Sequence, residues 1–117
     1  MSIDSLADKT LAEIGFDYVS RSSVNVFKHL DDDFENLLSF KSSLEDYFLS
    51  VKELQIYFVS DNVLSDKNSI SVRLHWFKSE INNAGSFKKT KGASQFVFKI
   101  RPDGPKLLYI RGDNPFF

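Results

Sequence analysis

Six side chains stand where a proton-transfer site could be assembled: Tyr18, His29, Asp31, Asp32, His75 and Tyr109. A carboxylate or imidazole base beside a bound carbonyl compound, with a tyrosine hydroxyl polarising the carbonyl oxygen, is the machinery of an isomerase or dehydratase. Tyr18, His29 and Asp32 form the best catalytic set the sequence offers. His75 falls in phase with Ser71 and Arg73, opposite a strand face of Ile70, Val72, Leu74 and Trp76, and that inward face is expected to carry no titratable group. His29 reads as a helix end, where an imidazolium complements the last carbonyls. The run Asp31-Asp32-Asp33 reads as solvated surface.

Other chemistries lack their parts. Asp31, Asp32, Asp33 and Glu35 have neither the alternate-oxygen spacing nor the glycine of a calcium loop. Two histidines without His-x-x-x-His spacing, and no cysteine, argue against a transition-metal site, a thiolate nucleophile or a disulfide framework. Neither Gly-x-Ser-x-Gly nor a glycine-rich phosphate loop before a helix is present. No metal and no cofactor is expected. A second constellation is apolar: Tyr18, Trp76, Phe96, Phe98 and Tyr109 could line a pocket, since aromatic walls and an indole N–H suit a small apolar ligand. A filled core is the alternative, and the 12 phenylalanines fit either.

Charge narrows the partners. Fifteen Lys and Arg against 16 Asp and Glu give a net charge of −1, no field to draw in nucleic acid or an acidic membrane. The cluster Lys88-Lys89-Thr90-Lys91, with Lys78, Lys99 and Arg101 nearby, reads as a charged sheet edge that discourages edge pairing. Arg111-Gly112-Asp113 reads as a strand exit, not an adhesion motif. No apolar run approaches the roughly 20 residues of a membrane span. The N-terminus lacks the basic and apolar regions of a secretory signal, so a cytoplasmic location is expected, or an exported one if the chain is an excised fragment.

The elements that must position these groups fall in two halves. Ile3, Leu6, Ala7, Leu11 and Ile14 predict a helix to about Tyr18, capped by Asp4 or Ser5. Val26, Phe27, Leu30 and Phe34 predict a short second helix, and Phe40, Leu44, Tyr47, Phe48 and Val51 a third over 39–51. From Leu54 the period becomes two, with Ser60-Asp61-Asn62 ending the first strand. Further strands are expected over 69–78, 87–101 and 106–111, joined at Asn82-Asn83-Ala84-Gly85 and Pro102-Asp103-Gly104-Pro105, with Gly92 marking a bulge or bend. The length fits one domain, with helices over about 4–52 and sheet over about 53–112.

This order resembles the nuclear transport factor 2-like superfamily of cystatin-like cones, which includes ketosteroid isomerase, scytalone dehydratase and non-catalytic modules. The matching features are the helix from Phe40 leading into Glu53-Leu-Gln-Ile-Tyr-Phe, Leu74-His-Trp-Phe, the Gly85 hairpin, Phe96-Val-Phe-Lys-Ile and the closing Ile110-Arg-Gly-Asp-Asn-Pro-Phe-Phe. The closing strand departs from the family, with Pro105-Lys-Leu-Leu in place of the usual Gly-Trp-Lys-Ile. The resemblance implies an α+β fold of N-terminal helices on a curved antiparallel sheet of four to five strands. It further implies a homodimer through the sheet and, in the cone, a small apolar ligand. The expected function is a non-catalytic binding or dimerisation module. The alternatives are an isomerase- or dehydratase-like enzyme and a protein-interaction domain of a larger, exported protein. Phe116 and Phe117 are expected to fold back over the sheet or to enter a dimer interface.

Overall fold

The computed structural model describes residues 2–117. Helix α1, Ile3–Val19, is capped by Ser2, whose hydroxyl accepts from Ser5 N. The cap thus falls before Asp4 and Ser5, because the helix takes both into its first turn. Ala7, Leu11, Ile14 and Tyr18 recur at helical spacing and are buried. The short α2, Ser23–Phe27, is capped by Ser22. It stops before Leu30 and Phe34, which reach the core from the turns that follow. Helix α3, Leu37–Ser50, buries Phe40, Leu44 and Phe48. It begins two residues earlier than its periodicity predicts, and Val51 opens the next strand.

Four strands follow: β1 (Val51–Ser65), β2 (Ser69–Asn82), β3 (Phe87–Arg101) and β4 (Gly104–Gly112). They pair antiparallel in chain order, as a curved sheet that does not close on itself. One expectation is corrected and another narrowed. Ser60-Asp61-Asn62 does not end β1: the register shifts between Ser60 and Asn62 and pairing continues to Ser65. A turn-forming triplet is absorbed as a bulge when the flanking residues find ladder partners. Of the bulge or bend expected at Gly92, the bulge is excluded, for the β2–β3 register runs unbroken through its pairing with Trp76.

The hairpin at Asn82–Ser86 is closed by hydrogen bonds between Asn82 and Ser86, with Gly85 at φ 86°. Strand β4 meets β3 only from Ser94 to Arg101, so residues 87–93 of β3 pair with β2 alone. One register shift falls here too, between Val97 and Phe98, leaving Leu108 unopposed on β4. The core lies between the helices and one face of the sheet, where Ile70, Val72, Leu74, Trp76, Phe96 and Phe98 are buried. No helix among the described residues is long and apolar enough to cross a membrane.

Candidate functional site

The space between helices and sheet is built from rings. The buried stripe of α1 brings Tyr18 inward from its last turn, α3 contributes Phe40, Tyr47 and Phe48, and the strands contribute Phe58 and Phe96. Tyr18 and Tyr47 stack with centroids 6.5 Å apart and planes 9° from parallel. Phe48 tilts onto Tyr18 at 5.6 Å, and Phe58 meets Phe96 edge-on at 5.8 Å.

Two kinds of polar group enter this apolar space. Tyr47 Oη donates to Glu80 Oε1 at 2.9 Å. Lys78, only 8% exposed, sends its Nζ to 4.3 Å from the Tyr47 ring centroid and 5.5 Å from that of Tyr18. Burial disfavours the charged ammonium and lowers Lys78 to about 8, against a smaller opposing pull from Glu80. Burial likewise pushes the Tyr18 hydroxyl far above the ordinary tyrosine range, reinforced by Tyr47. Tyr47 is raised by burial and then by its bond to Glu80. All three groups keep their protons near neutrality.

Lys78 overturns the expectation that the inward face of β2 carries no titratable group. It continues the alternation Ile70, Val72, Leu74, Trp76, and this phase was the signal that could have found it. For the same reason it lies on the opposite sheet face from Lys89 and Lys91 but in phase with Lys88, whose charge lowers it slightly further.

The closing segment completes the interior. Phe116 is 1% exposed and packs against Tyr18, Phe40, Phe58 and Phe96. Phe117 lies 42% exposed against Phe40. Phe116 therefore folds back over the inner face of the sheet, one of the two expected arrangements, and does so inside the cone. A cleft of about 240 Å³ opens beside it, lined by Glu35, Ser39, Ser43, Asn114 and Phe117 among others.

Solved structures of the same architecture are numerous. A candidate dehydratase of the nuclear transport factor 2-like family from Streptomyces avermitilis superposes with a TM-score of 0.81 at 9% identity, over 94% of this chain and 94% of its own. A candidate scytalone dehydratase from Novosphingobium aromaticivorans gives 0.78 at 10% identity, over 94% and 83%. A nuclear transport factor 2-like superfamily protein from Salmonella enterica gives 0.76 at 9% identity, over 92% and 87%. The chain has the nuclear transport factor 2-like fold. No family model and no curated protein matches the sequence, and at these identities the likeness is one of fold.

The nuclear transport factor 2-like cone brings some candidate residues together and separates others. Tyr18, Trp76, Phe96 and Phe98 share its core, Trp76 donating its indole N–H to Ser94 Oγ at 3.0 Å. Tyr109 does not join them. It pairs with Val97 on the face turned away from the helices, under the Arg111 guanidinium at 4.2 Å. The bulge at Leu108 puts it there, since one extra residue reverses the side of everything beyond it.

The catalytic set is dispersed. His29 Nε2 meets Asp17 Oδ2 at 2.7 Å, so its partner is a carboxylate of α1 in place of helix-end carbonyls. Asp32 is exposed. Asp31 is not solvated surface: at 1% exposure it takes the Arg101 guanidinium on both oxygens, at 2.8 and 2.9 Å, and accepts from Asp33 N. Chiefly through those Arg101 hydrogen bonds its carboxyl is lowered to about 2. On the outer face, His75 Nδ1 lies 2.9 Å from both oxygens of Asp61, the bulged residue of β1.

Proposed function

We propose that the chain is a non-catalytic binding and dimerisation module, whose cone takes a small apolar ligand and whose sheet joins two copies. The observation that carries the reading is the ring cage around Phe116, supplied by α1, α3, β1 and β3. A space that accepts one phenyl group edge-on and face-on among four others has the shape and polarity of an aromatic binding site. Dimerisation is supported by the outer sheet face, where Tyr57 (69% exposed) pairs with Phe77 (47%). They line a cleft of about 670 Å³ flanked by Lys89 and Lys91. Exposed rings on a rigid sheet are the usual anchors of a protein contact.

Two neighbours described as candidate dehydratases keep an enzymatic reading in view. It has less support, because Tyr18 turns its hydroxyl to Phe116 while His29 and Asp32 lie elsewhere. The reading as an interaction domain of a larger protein draws on the same outer face. Sedimentation of the wild type and Tyr57→Arg tests the dimer: a two-fold mass that falls to the monomer in the variant is expected, and a monomeric wild type at tens of micromolar sinks it. Titration with small aromatic compounds tests the cone.

A further inference from the structure

The polar groups that meet the closing segment are its most specific feature. Lys78 Nζ donates to Pro115 O at 2.9 Å. Tyr18 Oη donates to Phe116 O at 2.8 Å and lies 3.3 Å from Pro115 O. The segment is further shaped by Asn114, whose Oδ1 accepts from Phe116 N at 2.9 Å. Two successive carbonyl oxygens and one phenyl ring are therefore each met by a buried complementary group.

Lys78 is hard to explain as core filler. An ammonium taken out of water is costly unless it is well paired, and an apolar side chain of similar volume would fill the space at lower cost. Among the described residues its one hydrogen bond is to a neutral carbonyl, and no salt bridge involves it. A buried ammonium and a buried hydroxyl aimed at acceptor oxygens beside an aromatic cage form a recognition site for an aryl group carrying carbonyl or carboxylate oxygens.

We propose that Pro115-Phe116 is the resident occupant of this site, and that a free aryl compound bearing carbonyl acceptors binds in the cone by displacing it. This rests on the reading of the cone as a binding site. It adds the class of ligand and makes the protein's own segment its competitor.

The test uses the full chain with Phe116→Ala and two probes: ethylbenzene, which offers the ring alone, and N-acetyl-L-phenylalaninamide, which offers the ring and two carbonyls. The amide is expected to bind Phe116→Ala about tenfold or more tighter than wild type, since it no longer competes with the segment. Adding Lys78→Met should remove about tenfold of that affinity, the weight of one charge-assisted hydrogen bond, and leave ethylbenzene binding unchanged.

If ethylbenzene binds as tightly as the amide, or Lys78→Met changes neither, the resident-ligand proposal falls while the cone remains a binding site. If neither probe binds folded Phe116→Ala, both readings fall. Phe116→Leu replaces it should the alanine variant not fold. In the wild type, saturating amide should shift the Phe116 ring resonances toward those of a solvated phenylalanine, and their constancy under saturation would overturn the proposal independently.

Discussion

The six-membered ring of Trp76 lies directly over Gly92, its cross-strand partner, so closely that a Cβ at Gly92 would stand 2.5 Å from Trp76 Cζ2 and 2.8 Å from Asp113 Cβ. The glycine is there for clearance: it lets the indole lie flat across β3 and reach Ser94, whose hydroxyl in turn donates to Asp113 O. Gly92→Ala must move either the indole or the segment after β4. It is expected to destabilise the protein by about 1–3 kcal/mol, as overpacking does, with a red shift of tryptophan emission. Denaturation followed by fluorescence checks it, and wild-type stability with unchanged emission contradicts the packing described.

Lys78 gives stability an unusual alkaline limb. Its pKa is about 8 folded against 10.5 for the free side chain, so between these values the unfolded chain binds more protons and stability rises with pH. The trend reverses near pH 10, where unfolded tyrosines ionise while Tyr18 and Tyr47 are held protonated. Urea midpoints from pH 7 to 11 should pass through a maximum between about pH 9 and 10. Lys78→Met should flatten the rise, and a rise that survives the substitution would assign it to another group.

The pair Asp31–Arg101 acts at the other end of the scale. The folded carboxyl is depressed to about 2 from 3.8, so its contribution is full above pH 4 and is lost as pH falls toward 2. Arg101→Met leaves a buried carboxylate with Asp33 N as its remaining donor. A loss of stability at pH 7 is expected, smaller than for a fully buried pair because Arg101 is 36% exposed. Acid denaturation should also begin at higher pH. An unaltered acid limb would show that another carboxylate governs it.

Tyr18→Phe removes the hydroxyl that holds Phe116 O and leaves that buried oxygen without a hydrogen-bond donor among the described residues. A cost of about 1–3 kcal/mol is expected, with faster hydrogen exchange at the backbone amides of residues 116 and 117. Unchanged exchange there would mean that the ring cage alone fixes the segment.

Much of this arrangement is legible in the sequence because its periods are local. The stripe Ala7, Leu11, Ile14, Tyr18 and the alternation Ile70, Val72, Leu74, Trp76 each name a buried face without knowledge of anything else in the chain. What escapes is what depends on distant partners. Asp31 reads as surface until Arg101, 70 residues on, supplies its counter-charge. Tyr109 reads as inward until the unpaired Leu108 turns it over. Phe116 sits in no periodic element, so only the assembled cage shows where its ring goes. Lys78 is the instructive middle case: its phase is plain, but a lysine in phase with an apolar face reads as the face's end until Pro115 O is seen waiting for it.

The middle of the outer edge of β4 is occupied by the stretch after α2: Leu107 N donates to His29 O, and Asp31 N and Glu35 N donate to the carbonyls of Leu107 and Leu108. At the opposite side of the sheet, β1 pairs with β2 alone. A strand adding at β4 would have to displace the bonds to His29, Asp31 and Glu35, which disfavours addition at that margin. Two copies joined at β1 would turn this occupied stretch outward at each end, so growth of that kind is disfavoured beyond a pair.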